Sequence, residues 1–332
     1  MVPKLAEAGE DFTEKTLIDR IRSGKVLPIV SNVFYNELIF DKDEALVDAW
    51  ASHIDYPLPD KRNLTHMIQY FSVTRKADTK GEADDRKIKE TYLKFLKDAL
   101  ESIADPDLLD DLNTDTNRYK LTLTDCAERL CRPTFDVDQA NANPLFLLAD
   151  FKLPIYITTS YHGLLECALK KSGAEPQVEI CAWNERLRSI RSVFAGGSYD
   201  PSPEKPLVYH LYGLDANPDS LVLTEDDHMD FLVAISSERR TIPDRIRGAL
   251  ADSSLLLLGY RLRDWDFRVL FRGLIKPNAN QPLRPKSVAI QLEENEIERR
   301  FLQNYLAQEA DFKVFWRDTK TFIQDLWKGW KK

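Results

Sequence analysis

Six short apolar runs, each bounded by chain breakers, alternate along this sequence with amphipathic stretches, and no other feature limits the possible folds as strongly. The runs span residues 26–30, 155–160, 207–212, 255–259, 288–292 and 314–316. A short run of apolar residues without polar alternation suits a strand buried on both faces, the condition of a parallel sheet covered by helices. The stretches between them carry helical periodicity. In residues 163–171, Leu164, Leu165, Ala168 and Leu169 form one stripe, and in 294–308 Ile297, Phe301, Leu302, Tyr305 and Leu306 form another. Strand followed by helix, repeated, predicts a Rossmann-like, doubly wound α/β fold with a mainly parallel sheet of about six strands. Boundary signals agree with this. Thr224 precedes Glu225, Asp226 and Asp227, an N-cap followed by carboxylates that complement the positive end of the helix dipole, and Ser172-Gly173 is a stop signal.

Residues 36–150 interrupt the alternation. They read as helical: Ile88, Tyr92, Phe95, Leu96, Ala99, Leu100 and Ile103 recur at helical spacing, while the charged stretch 74–85 reads as a solvated loop. The expectation is one unit over 1–332, with 36–150 as a helical module inserted after the first strand and 151–332 as the main Rossmann-like part. The last helix, with Phe322, Ile323, Leu326, Trp327 and Trp330, either packs on the domain or meets a partner.

Charge narrows the function. With 46 Lys+Arg against 54 Asp+Glu the formal net charge is −8, so the broad basic footprint of a nonspecific nucleic-acid or anionic-membrane binder is missing, and neither partner is expected. No apolar run approaches the ~20 residues of a membrane span, and residues 1–20 hold no signal-peptide core; a cytoplasmic location is expected. Cys126, Cys131, Cys167 and Cys181 are too few and scattered for a disulfide framework, and no CxxC pair occurs, so buried free thiols and no metal are expected. No GxxxxGK[ST] phosphate cradle is present.

Open α/β sheets bind ligands beyond the carboxyl ends of their strands. The residues at those places are polar here: 31–36 (SNVFYN), 158–163 (TTSYHG), 210–227 (HLYGLDANPDSLVLTEDD) and 259–268 (GYRLRDWDFR). Within the third, Asp215, Asn217 and Asp219 resemble a metal-binding alternation, although the NPDS turn accounts for them without an ion.

The order YITTSYHGLLECAL, VYHLYGLDANPDSLVLTEDDHMDFL and LLLLGYRLRDWDFRVLFRGL resembles the sirtuin-like domain of prokaryotic conflict and antiphage defence systems. That resemblance implies a Rossmann-like fold holding NAD+ and, in active members, hydrolysis of the nicotinamide glycosidic bond. The family's catalytic His falls on Tyr212, its Asn on Ser160 and its Asp on His162, so the active site is degenerate. The glycine-rich turn falls on Ser31, Asn32 and Val33, and a family Ser falls on Arg261, which either holds a phosphate or blocks the site. His162 and His210 are candidate substitute bases, because imidazole titrates near neutral pH, whereas the ordinary Tyr pKa of about 10 is unsuited. His210 lies two residues before Tyr212, which on a continued strand puts both on one face.

The candidate catalytic residues are therefore His162, Tyr212, Ser160 and His210. NAD+ or ADP-ribose is expected against Ser31, Asn32, Thr159, Gly259, Tyr260, Arg261 and Asp264. The function expected first is an NAD+ glycohydrolase acting as a defence effector, with a catalytically dead nucleotide-binding or assembly subunit as the alternative. The resemblance further implies a homo-oligomer or a separate sensor partner. A zinc-dependent deacylase is not expected, since those relatives carry two cysteine pairs.

Overall fold

All five residues of the first strand, β1 (Val26–Val30), are buried, and they lie inside a seven-stranded sheet. The other strands are β2 (Ile155–Thr158), β3 (Gln177–Ile180), β4 (Leu207–His210), β5 (Ser254–Leu258), β6 (Ser287–Gln291) and β7 (Phe312–Trp316). The computed structural model describes residues 13–40, 42–79, 84–131, 143–237, 241–261, 265–275, 287–291, 300, 303–305 and 312–332. The strand order is β3-β4-β2-β1-β5-β6-β7, and every pairing is parallel. The expected Rossmann-like α/β architecture is thus present, with one more strand than the apolar runs predict. β3, at the sheet edge, escapes that criterion because its sequence, QVEI, is not an apolar run; Val178 is exposed and Glu179 is buried.

Alternate residues of β1 feed two cores. Val26 and Val30 join a cluster with Tyr156, Val208, Leu256 and the helices that follow β1, whereas Leu27 and Ile29 join Ile157, Leu207, Tyr209 and Leu257 on the other face. The chain between β1 and β2 is helical as expected: Asn32–Phe40, Asp43–His53, Leu64–Asp78, Asp85–Ile103, Pro106–Asn113, Leu123–Leu130 and Pro144–Asp150. Trp50, fully buried, has Phe71, Tyr92 and Phe95 edge-on around it at 5.4, 5.1 and 5.0 Å between ring centroids. Such aromatic contacts add to the area they bury, and here they bind three of these helices together.

Several boundaries differ from the sequence reading. Helix Asn32–Phe40 begins directly after β1, so residues 31–36 are not a loop; Ser31 is its N-cap, its Oγ accepting from Phe34 N at 3.2 Å. Helix Leu64–Asp78 takes in the first five residues of the expected loop 74–85, of which 80–83 lie outside the described residues. Most of 294–308 also lies outside them. The Thr224 cap is present as read, with Asp227 N donating to Thr224 Oγ1 and Thr224 N to Asp227 Oδ2, both at 3.0 Å. Gly173 follows the helix end at φ +87°. The last helix, Thr319–Lys331, packs: Phe322, Ile323 and Leu326 are buried and Trp327 Nε1 donates to Asp150 Oδ2 at 2.7 Å. No helix among the described residues is long and apolar enough to cross a membrane.

Candidate functional site

Parallel register places the last paired residues of five strands on one row: Ile180, His210, Thr158, Val30 and Leu258. Whatever follows them forms one rim. The chain leaves β1 toward β2 on one side and leaves β5 toward β6 on the other, so the crevice between β1 and β5 is the topological switch point where such sheets take ligands. The rim is tight there. Ser31 Oγ donates to Gly259 O at 2.6 Å, and Gly259 sits at φ +75°, where an added Cβ would stand 2.6 Å from Ser31 Oγ and 2.7 Å from Phe34 Cβ. Both the backbone conformation and the close approach require glycine. Thr159 Oγ1 and Tyr260 Oη, 3.2 Å apart, complete a buried bridge across β1.

A cavity of about 620 Å³ opens above this rim. Asn32 and Val33 come from the helix start after β1, Tyr161 from after β2, Leu223 from after β4, and Arg261 and Arg268 from after β5. The inserted helices supply the facing wall, with Asp43, Asp48 and residues 59–65. Asn32 is 5% exposed and its Oδ1 has no hydrogen-bond partner. A buried carbonyl oxygen left without a donor is costly, so this atom marks where a donor is expected. Arg261 is engaged by carboxylates: Glu44 at 2.8 Å, Asp43 at 3.5 Å and Glu37 at 3.6 Å. Burial pushes the Glu37 carboxyl up to about 7, with Arg261 pulling the other way.

Ser160, His162 and His210, all buried, meet where β2 and β4 end. His162 Nδ1 lies 3.2 Å from Ser160 Oγ, and His210 Nδ1 lies 3.3 Å from Ser160 O. The other nitrogen of His210 is 2.5 Å from Glu166 Oε1, on helix Leu164–Lys171. Both nitrogens of His210 thus face acceptors, which suits the imidazolium form. Burial disfavours that charge, but Glu166, by charge and hydrogen bond, outweighs it and the pKa is raised. His162 moves the other way: burial first, then the neighbouring His210, lower it to about 3. Its ring is 3% exposed, Tyr35 stands edge-on to it at 4.8 Å, and its Nε2 has no partner. Two neighbouring buried imidazoles are thus shifted in opposite directions.

Tyr212 is elsewhere. β4 ends at His210, and the turn that follows carries Tyr212 to the opposite core, where it packs edge-on against His228 and Phe231 at 5.3 and 5.2 Å. The expectation that Tyr212 and His210 share a face is corrected: pleat alternation applies only while the strand continues. Gly213, at φ +90°, makes that turn, and a Cβ there would lie 2.3 Å from Ser220 O. β2 likewise ends at Thr158, and His162 precedes helix Leu164–Lys171 rather than beginning it. Asp264 lies outside the described residues. In the segment with metal-like alternation, Asp219 pairs with Arg86 and Arg186, and Asp215 Oδ2 accepts from Thr124 N and Oγ1 at 2.6 and 2.9 Å. Among the described residues no group of three or more His, Cys, Asp or Glu is arranged to hold a metal ion. Cys126, Cys167 and Cys181 are buried and Cys131 half-buried, all free, with thiols pushed up by burial.

Glu166 and Thr124 are the contributors that sequence reasoning passed over. Glu166 occupies a polar position in an otherwise apolar helix stripe, a signal that was available. Thr124 carries none: it matters because its Oγ1 accepts from Gly163 N at 2.8 Å while donating to Asp215, so one residue of the inserted helices pins the loops after β2 and β4. No curated protein matches the chain. The stretch holding β2 to β6, with the rim loops after β2, β4 and β5, is where similarity to known proteins lies: residues 154–309, just under half of the chain, match the family model of the SIR2-like domain.

Proposed function

We propose that this chain is a sirtuin-like module that binds NAD+ or ADP-ribose in the cavity over the β1/β5 crevice without hydrolysing it. The observation that carries the reading is Asn32: a buried, unpartnered carbonyl oxygen in the wall of a cavity sized for a nucleotide, at the switch point of the sheet. A ribose hydroxyl or adenine amine supplies the donor it needs. In the conflict-system setting that the strand-end segments resemble, such a module serves as a nucleotide-sensing or assembly subunit in the cytoplasm, as a homo-oligomer or with a separate sensor partner. The whole of 1–332 then acts as one unit, the inserted helices forming the lid of the cavity.

The glycohydrolase reading is favoured by one feature, the unpartnered Nε2 of a neutral His162 oriented by Ser160. Against it, the ring is 3% exposed and is not among the residues that line the cavity, and a base with pKa about 3 takes up a proton at pH 7 at a cost of roughly 5 kcal/mol. Titration calorimetry with NAD+ and ADP-ribose, alongside an assay of nicotinamide release, separates the two. The expected result is saturable binding, weakened about tenfold by Asn32→Ala, with no nicotinamide release. Absence of binding by either ligand at millimolar concentration overturns the proposal. Release that is lost in His162→Ala replaces it with the hydrolase.

A further inference from the structure

The usual way for such a fold to hold a diphosphate is on backbone N–H groups of a glycine turn after the first strand. In this chain that place holds Ser31, Asn32 and Val33 and no glycine, and Ser31 Oγ is spent between Phe34 N, which it caps, and Gly259 O. Arg261, the nearest cation to the rim, is surrounded by Glu37, Asp43 and Glu44. The same cavity, however, has three other cations. Lys61 and Arg62 stand on the wall formed by the inserted helices and Arg268 stands on the segment after β5; all three are exposed and have no ion-pair or hydrogen-bond partner among the described residues. Two of the cavity's carboxylates are already occupied, Asp43 by Asn36 and Arg261, and Asp60 by Tyr56 and His66. The lining thus holds four cations, Lys61, Arg62, Arg261 and Arg268, against three carboxylates, Asp43, Asp48 and Asp60, and the carboxylates beside Arg261 leave Lys61, Arg62 and Arg268 as the cations open to an anion.

We propose that Lys61, Arg62 and Arg268 form a side-chain cradle for the diphosphate of the bound nucleotide, replacing the glycine turn; this rests on the nucleotide reading given above. The class of ligand follows from these three cations: a nucleoside carrying two linked phosphates, with Asn32 reading the neutral part beside it. Recognition by long cationic side chains across a cavity, in contrast to a fixed backbone turn, joins the inserted helices to the segment after β5 only when the anion is present. It also makes affinity sensitive to ionic strength, because these cations are exposed and screened by salt.

The test is calorimetry on the full chain with ADP-ribose, adenosine and inorganic pyrophosphate as probes, for wild type, Lys61→Gln/Arg62→Gln and Arg268→Gln. Circular dichroism establishes that each variant is folded, and the two variants lie on opposite walls. The expected outcome is a loss of roughly tenfold or more in affinity for ADP-ribose and pyrophosphate in both variants, with weak adenosine binding unchanged. Losses below twofold in both, or a loss in only one, overturn the cradle while leaving the nucleotide reading intact. Wild-type binding of adenosine as tight as ADP-ribose also overturns it. Pyrophosphate bound by wild type and lost in both variants, with no binding of ADP-ribose or NAD+, upholds the anion cradle and removes the nucleotide reading. No binding of any probe removes both.

Discussion

Replacing Glu166 by Gln tests the charge state of the His210 pair, and the size of the effect follows from the burial. The His210 side chain is fully buried and that of Glu166 5% exposed, so neither partner has water to fall back on. Removing the counter-charge of a buried ion typically costs 3–5 kcal/mol, about the upper limit here. His210 can relieve part of that by losing a proton, after which the new amide donates to the freed nitrogen and the other nitrogen keeps Ser160 O, so that what is lost is the charge-assisted hydrogen bond. A hydrogen bond to a charged group is worth roughly 1.5–3 kcal/mol, which sets the lower limit. A loss of about 3 kcal/mol is expected at pH 6. The sign of the pH dependence follows from the raised pKa of His210. The pair's contribution is fully present below the ordinary His value of about 6.5 and is lost as pH rises through the folded-state pKa. The gap between wild type and Glu166→Gln should therefore narrow toward alkaline pH. Asp215, which also acts on His210, and the neutral His162 are common to both proteins and cancel in the difference at pH 6 and above. Urea unfolding followed by circular dichroism from pH 6 to pH 9.5 gives the comparison. A gap that is the same at every pH, or below about 1 kcal/mol at pH 6, refutes the assignment of an ionised pair.

Two further outcomes are expected. Gly259→Ala places a methyl 2.6–2.7 Å from Ser31 Oγ and Phe34 Cβ at a left-handed φ, and should destabilise by roughly 2–4 kcal/mol, read as a lowered thermal midpoint; an unchanged midpoint disproves the close approach. His162 has its pKa lowered to about 3, so the unfolded chain binds a proton that the folded one refuses, and stability falls as pH drops from about 6.5 toward 3. His162→Gln should flatten that part of the stability curve, and a slope unaltered by the substitution counts against a buried neutral ring.

The sheet was legible in the chain because its cause is local. Unbroken apolar runs such as 255–259 allow few arrangements except a strand covered on both sides, and helix ends such as Thr224 and Gly173 are governed by hydrogen bonds within a few residues. β3 was not legible because its polarity runs against its burial: Val178 is exposed while Glu179 is buried, its Oε2 accepting from Val193 N, so four residues QVEI carry no core signature. The strand-end residues also identified the rim, since topology alone directs them there. What stands beside each of them was decided by the tertiary structure. Glu166 meets His210 across 44 residues, Asp215 meets Thr124 across 91, and Ser31 meets Gly259 across 228. Those contacts shift two neighbouring histidines in opposite directions and spend the Ser31 hydroxyl at the place of the glycine turn, while the turn at Gly213 carries Tyr212 to the opposite core. Periodicity and capping are set by sterics along the chain, whereas charge state and access depend on which distant groups share the same buried volume, and that is settled only when the layers pack.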